Sequence, residues 1–192
     1  MRRSGEERRS EIIQAALALF EQNGFDATSV EEITAKAKIS KGLAYHYFKS
    51  KDEILLAIIN LRLAELDDLT RRLRDEPLAQ HRLQILVDQL LDEVIRGEKR
   101  QRFLVTTFLQ PQNNKLVQKA MKASPERFQA LQQEEIRLLA DLGFKDAEVE
   151  LPLFRAGMQG MVFLYLLNPA NFPIRQVAAQ FVAKYTLKQE ET

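Results

Sequence analysis

Apolar residues recur at three- and four-residue intervals along nearly the whole chain, the period of helices buried on one side. The first run, Ile13, Ala16, Leu17 and Phe20, is opened by Ser4 with Glu7, which can cap a helix, and is stopped at Asn23-Gly24. Val30, Ile33 and Ala37 form a short second face. It is opened by Thr28-Ser29-Val30-Glu31, whose S/T-x-x-E form offers a hydroxyl and a carboxylate to the free N–H groups of a helix start. This helix ends near Ala37 or Lys38. Ser40 caps a third helix from Lys41, leaving Ile39 to anchor the turn. Ser50-Lys51-Asp52-Glu53 is a further capping box, and the helix it opens runs to about Arg74 on Ile54, Leu55, Ile58, Leu61, Leu69 and Leu73. At about 1.5 Å per residue that helix is roughly 35 Å long. Phe25 and Phe48 fall between these elements and predict a small shared core.

Pro77 ends the long helix. Leu83, Leu86, Val87, Leu90 and Val94 mark the next one, to Gly97, and another covers about 99–110 and stops before Pro111. A helix from Asn114 is interrupted at Ser124-Pro125, where proline either kinks it or begins a new one; it resumes to Leu142 and stops at Gly143. The last two helices run over 148–167, ended by Asn168-Pro169, and from Pro173 to about Lys188. No strand candidate interrupts the pattern. It predicts an all-α protein of nine or ten helices, with a three-helix helix-turn-helix domain over 1–50 and a helical bundle over 51–192, the fourth helix connecting them.

Charge changes the picture at one place. Lys and Arg number 28 against 27 Asp and Glu, a net charge of +1, yet residues 36–51 hold Lys36, Lys38, Lys41, Lys49 and Lys51 with no acidic residue. Tyr45, His46 and Tyr47 sit inside this segment and can hydrogen-bond phosphate oxygens. A lysine run is commonly a solvated face. Here it falls on the second of two short helices joined by about three residues, the layout of a helix-turn-helix reader, and so points to a polyanion.

These residues carry a family resemblance. Ile13-x-x-Ala16-x-x-Leu19-Phe20-x-x-x-Gly24-Phe25-x-x-Thr28-Ser29-Val30-x-x-Ile33, then Ser40-Lys41-Gly42-x-x-Tyr45-x-Tyr47-Phe48-x-Ser50-Lys51, resembles the N-terminal domain of the TetR family of transcriptional regulators over about residues 8–58. Lys38 stands where the family usually has Gly, and Ala44 where a larger apolar residue is common. Beyond residue 60 the resemblance implies an architecture only.

On this reading the third helix enters the major groove, with Lys41 and Leu43 nearest the bases. Lysine donates to guanine acceptors and leucine packs on a thymine methyl. The resemblance implies that Tyr45, His46 and Tyr47 touch phosphates and sugars. Gly42 allows close backbone approach, and Ser40 caps the reading helix. Thr28, Ser29 and Lys51 stand at helix starts, where free N–H groups hold phosphate. Arg2, Arg3, Arg8 and Arg9 suggest an arm along the DNA, a case weakened by Glu6 and Glu7.

The helix over 148–167 is apolar around most of its circumference. Ala156, Gly157, Gly160, Leu164 and Leu167 lie on one side and serve either ordinary packing within one subunit or, the preferred reading, a homodimer interface completed by the last helix in a four-helix bundle. Phe154, Met158, Met161 and Tyr165 share another face. With Phe103, Thr107, Phe108, Met121 and Phe128 they are either plain core or the lining of a pocket for a small lipophilic ligand, which the resemblance favours. Thr107, Gln110, Arg155 and Gln159 could orient a polar end, and Arg155 faces either an anionic ligand or a glutamate such as Glu134 or Glu135. The expected function is a homodimeric repressor released from a palindromic double-stranded operator by that ligand; an activator, or a DNA-bound protein that recruits another protein, is the alternative.

Catalysis finds little support. There is no cysteine, the two histidines are His46 and His81, and no glycine loop or zinc-spaced histidine pair occurs, so no metal or cofactor is expected. No apolar run is long enough to span a bilayer and the N-terminus lacks a signal-peptide pattern, which predicts a cytoplasmic protein.

Overall fold

A computed structural model describes residues 4–186, without the side chains of Phe108, Gln112, Asn114 and Val117. Phe108, a candidate pocket residue, therefore lies outside the described side chains, as do Arg2, Arg3 and Lys188. The described residues form ten helices: α1 (Gly5–Asn23), α2 (Val30–Ala37), α3 (Lys41–Tyr47), α4 (Lys51–Asp75), α5 (Ala79–Arg96), α6 (Glu98–Leu109), α7 (Pro111–Ala123), α8 (Pro125–Asp141), α9 (Ala147–Leu167) and α10 (Ile174–Thr186).

Local chemistry sets most of these ends. Ser4 and Glu7 make the reciprocal cap of α1, and Gly24 takes φ 84° just past its end. The cap of α2 is displaced by one residue from the expected frame. Ser29 and Glu32 make it, while Thr28 is buried and its hydroxyl donates to the Gly24 carbonyl at 2.8 Å. Pro111 does more than stop α6: it occupies the first turn of α7, where its missing N–H costs nothing, so α7 begins there and not at Asn114. Pro125 likewise begins a new helix.

The chain packs as two compact units, Met1–Ala64 with Lys99–Ser124, and Glu65–Glu98 with Pro125–Thr192. Neither is continuous in sequence, and the packing division does not coincide with residue 50. In the first unit Ile12, Ala16, Phe20, Phe25, Ile33, Phe48 and Leu55 form the interior. Phe20 meets Phe25 edge-on at 5.2 Å between ring centroids, and Phe103 of α6 lies 5.7 Å from Phe20. In the second unit Leu73, Leu83, Leu86, Leu138, Leu139, Phe154 and Met161 are buried together. Leu61, expected in the α4 seam, is instead 47% exposed. Arg82 of α5 is fully buried, with Nη2 on the Asp141 carboxylate while Nε and Nη1 have no hydrogen-bond partner.

Candidate nucleic-acid interface

The turn between α2 and α3 is built on a left-handed residue. Lys38 has φ 55° and ψ 46°; its N–H returns to the Ala35 carbonyl at 3.2 Å, and the Ile39 N–H reaches the Thr34 carbonyl at 3.1 Å. Glycine adopts this conformation more easily than lysine. Ser40 then caps α3, its hydroxyl accepting from the Leu43 N–H at 3.2 Å. One side of α3 is tied inward by Ala44, which is buried. A small side chain fits that position. Lys41, Gly42, Tyr45 and His46 are consequently exposed, and Leu43 and Tyr47 are half-buried. A Cβ added at Gly42 would touch nothing within 4 Å, so its smallness matters only to something approaching from outside the chain. Tyr45 is 40% exposed, and the His46 and Tyr47 rings meet edge-on at 5.2 Å.

The lysines do not all face outward. Lys51 Nζ donates to the carbonyls of Phe25 at 2.7 Å, Thr28 at 2.8 Å and Asp26 at 3.2 Å, and lies 4.5 Å from the Phe25 ring centroid. An ammonium has three donors, and all three are spent on the loop between α1 and α2. The Lys51 side chain is a staple of the fold, and the phosphate expected at the start of α4 falls to backbone N–H groups there. Thr28 is turned inward as well: its hydroxyl, N–H and carbonyl all have partners inside the chain. In the expected arm, Arg8 pairs with Glu11 at 3.1 Å and Arg9 lies over Phe48, its guanidinium 4.9 Å from the ring centroid.

Lys41 is exposed but paired. Its ammonium donates to Glu31 of α2 and lies 5.9 Å from the Tyr45 ring centroid. That hydrogen bond holds the Glu31 carboxyl below the usual carboxylate range and Lys41 above the usual amine range. Glu32 is also lowered, by the Ser29 backbone N–H and then its hydroxyl. Sequence reading missed Glu31 as a surface group because TSVEE fits the capping pattern in two frames, and only the fold shows that Glu32 takes the cap.

The other candidate residues fall in both units. Phe103 and Thr107 are buried in the first unit, where Met121 is 43% exposed. In the second, Phe154 packs against Phe181 at 5.4 Å and Tyr185 at 5.0 Å, so it serves the α9–α10 contact; Met161 is buried, and Met158, Phe128 and Tyr165 are half-buried. Arg155 donates to Glu135 through Nε at 3.0 Å and through Nη2, the glutamate alternative. Burial raises Glu135 against the opposing pull of that guanidinium. On α9, Ala156, Leu164 and Leu167 are exposed and nothing lies within 4 Å of a Cβ at Gly160. Gly157 differs: its Cβ would stand 2.7 Å from Phe181 Cε2, so it serves packing within the subunit. Val149 and Leu153 extend the exposed stripe at the same helical spacing.

Among the described residues no group of acidic, histidine or cysteine side chains could hold a metal ion, and no helix is long and apolar enough to cross a membrane. The family model for bacterial regulatory proteins of the tetR family matches residues 12–58, the capped three-helix segment. The chain is 53% identical over 49 residues to the uncharacterized HTH-type transcriptional regulator YuxN of Bacillus subtilis, covering 26% of this chain and 17% of that protein. It is 26% identical to the HTH-type transcriptional regulator AcrR of Shigella flexneri across 95% of this chain and 89% of that one. Two further relatives are spanned over only part of their length, one at 45% and another at 22%. The fold of the transcriptional regulator FadR from Bacillus subtilis, solved in complex with stearoyl-CoA, superimposes with a TM-score of 0.73 at 15% identity, covering 92% of this chain and 97% of that one. With the motif and the family model in agreement, residues 12–58 form the DNA-binding domain of the tetR family of bacterial regulatory proteins, and the ten-helix fold is that of solved regulators.

Proposed function

We propose that this protein is a homodimeric repressor that reads a palindromic operator through α3 and leaves it when a small lipophilic ligand binds. The observation that carries the reading is the two-sided character of α3: Ala44 holds it to the head, and Lys41, Gly42, Tyr45 and His46 are exposed on its other side. An α-helix of this kind fits the major groove. Ser29 caps α2 and Ser40 caps α3, and Leu43 and Tyr47 border the exposed face.

Two half-sites call for two heads. The exposed stripe of Val149, Leu153, Ala156, Gly160, Leu164 and Leu167 on α9 is an apolar surface of the kind that buries itself against a symmetry mate, with α10 beside it. The FadR complex with stearoyl-CoA supports a lipophilic effector for a protein of this fold. α4 contributes residues to both compact units, so a ligand that shifts it would change the separation of two heads in a dimer. A second reading, recruitment of a protein partner, is favoured by exposed Leu109 and Met121 on α6 and α7.

The test is fluorescence anisotropy on a selected palindrome, with and without a long-chain acyl-CoA. Release by the acyl-CoA at fixed salt supports ligand control. Retention of DNA through saturating ligand directs attention to the protein partner.

A further inference from the structure

We infer that Glu31 and Lys41 act as one reading unit for a single G·C pair in each half-site, Lys41 donating to guanine and Glu31 accepting from the cytosine amino group. The inference rests on the reading of α3 as the groove helix. Three observations carry it. The α2 cap is complete without Glu31, because Glu32 accepts from the Ser29 N–H at 2.7 Å and the Ser29 hydroxyl at 2.8 Å. The Glu31 carboxylate takes no part in that exchange, its contacts being Lys41 and its own backbone N–H, and it stands on an exposed surface next to α3, with its side chain 60% exposed beside a Lys41 side chain 53% exposed. And it is hydrogen-bonded to Lys41, the first residue of the reading helix.

A carboxylate turned toward a polyanion opposes binding unless a donor meets it. On the major-groove edge the donors are the amino groups of cytosine and adenine. In a G·C pair guanine O6 and the cytosine amino group are themselves hydrogen-bonded neighbours, so a hydrogen-bonded ammonium and carboxylate match them side by side. The ammonium has three donors and the carboxylate about four lone-pair sites, so their mutual bond leaves capacity on both. G·C is preferred over A·T because guanine offers N7 and O6 together to one ammonium, whereas thymine sets a methyl beside its single acceptor.

The pair also has a recognisable electrostatic signature. Lys41 neutralised by Glu31 releases no counterion, whereas a lysine freed of its carboxylate can take a phosphate. Glu31→Ala should therefore relax base preference at one position per half-site roughly tenfold and steepen the salt dependence by up to about one unit of slope. The experiment is selection from a random duplex library with the wild type and Glu31→Ala, followed by binding to the selected site carrying N4-methylcytosine at that position. The methyl removes the amino hydrogen that Glu31 would accept. A loss of roughly tenfold for the wild type, absent in Glu31→Ala, supports the inference. The same selected bases and salt slope for both proteins, or an equal penalty from the modified base, overturns it while leaving α3 as the reader. Failure of the wild type to enrich any palindrome overturns both.

Discussion

The α2–α3 segment and α9 each leave one helical face uncovered by the chain, and they differ in what they leave there. On α3 the uncovered groups are an ammonium, an imidazole and a phenol around a bare Gly42. On α9 they are Val149, Leu153, Leu164 and Leu167, the last of them 65% exposed. An exposed helix face is thus a statement about a missing partner, and its chemistry says which kind: a hydrogen-bonding polyanion in one region, an apolar surface in the other. The glycines show the same division. Gly42 and Gly160 face open space, whereas Gly157 is pressed on Phe181.

The largest effect should come from blocking the α9 face. Gly160→Arg is expected to shift the protein from dimer to monomer in sedimentation velocity at micromolar concentration and to weaken operator binding, with helical content unchanged. Gly157→Ala separates packing inside the subunit from packing between subunits. Its new methyl displaces a ring held by Phe154 and Tyr185, and the expected cost is about 1–3 kcal/mol in denaturant melts.

Two inward-turned cations sharpen the contrast further. Lys51 is fully satisfied by three carbonyls, and Lys51→Met should cost about 1.5–3 kcal/mol of stability while leaving the salt slope of DNA binding unchanged. A slope shallower by one unit would make its side chain a phosphate contact. Arg82 is buried with two unpartnered donors, and its carboxylate partner is half-exposed; Arg82→Leu should change stability by no more than about 1 kcal/mol. Lys38→Gly relieves a left-handed lysine and should stabilise the head by about 0.5–1 kcal/mol.

The smallest effect is a pH slope. Burial raises Glu135 in the folded state, so above the ordinary carboxylate range the folded protein binds more protons than the unfolded one and stability falls as pH rises. Glu135→Gln should flatten that slope in urea titrations run upward from the ordinary glutamate pKa of about 4.3.

Signals that act over a few residues were legible in the sequence. The Ser4 and Ser40 caps, the stop at Gly24 and the break at Pro77 each need only neighbouring backbone groups, and together they define the head. What was not legible depends on contacts far along the chain. The Lys51 ammonium meets the Phe25 carbonyl 26 residues away, which turned an apparent surface lysine inward. Phe154 reads as pocket lining until α10 supplies Phe181 and Tyr185. The cap frame at TSVEE was ambiguous for a different reason: two hydroxyls and two carboxylates stand at matching offsets, and burial of Thr28 decides between them.

The central claim, that the exposed face of α3 reads a two-fold DNA site, is tested most directly by selection from a random duplex library with the wild type and with Tyr45→Ala/His46→Ala. The account predicts an enriched palindrome with half-site centres about one helical turn apart, and its loss in the double variant while the melting temperature stays unchanged. No enriched palindrome, or the same palindrome recovered without those two side chains, would contradict it.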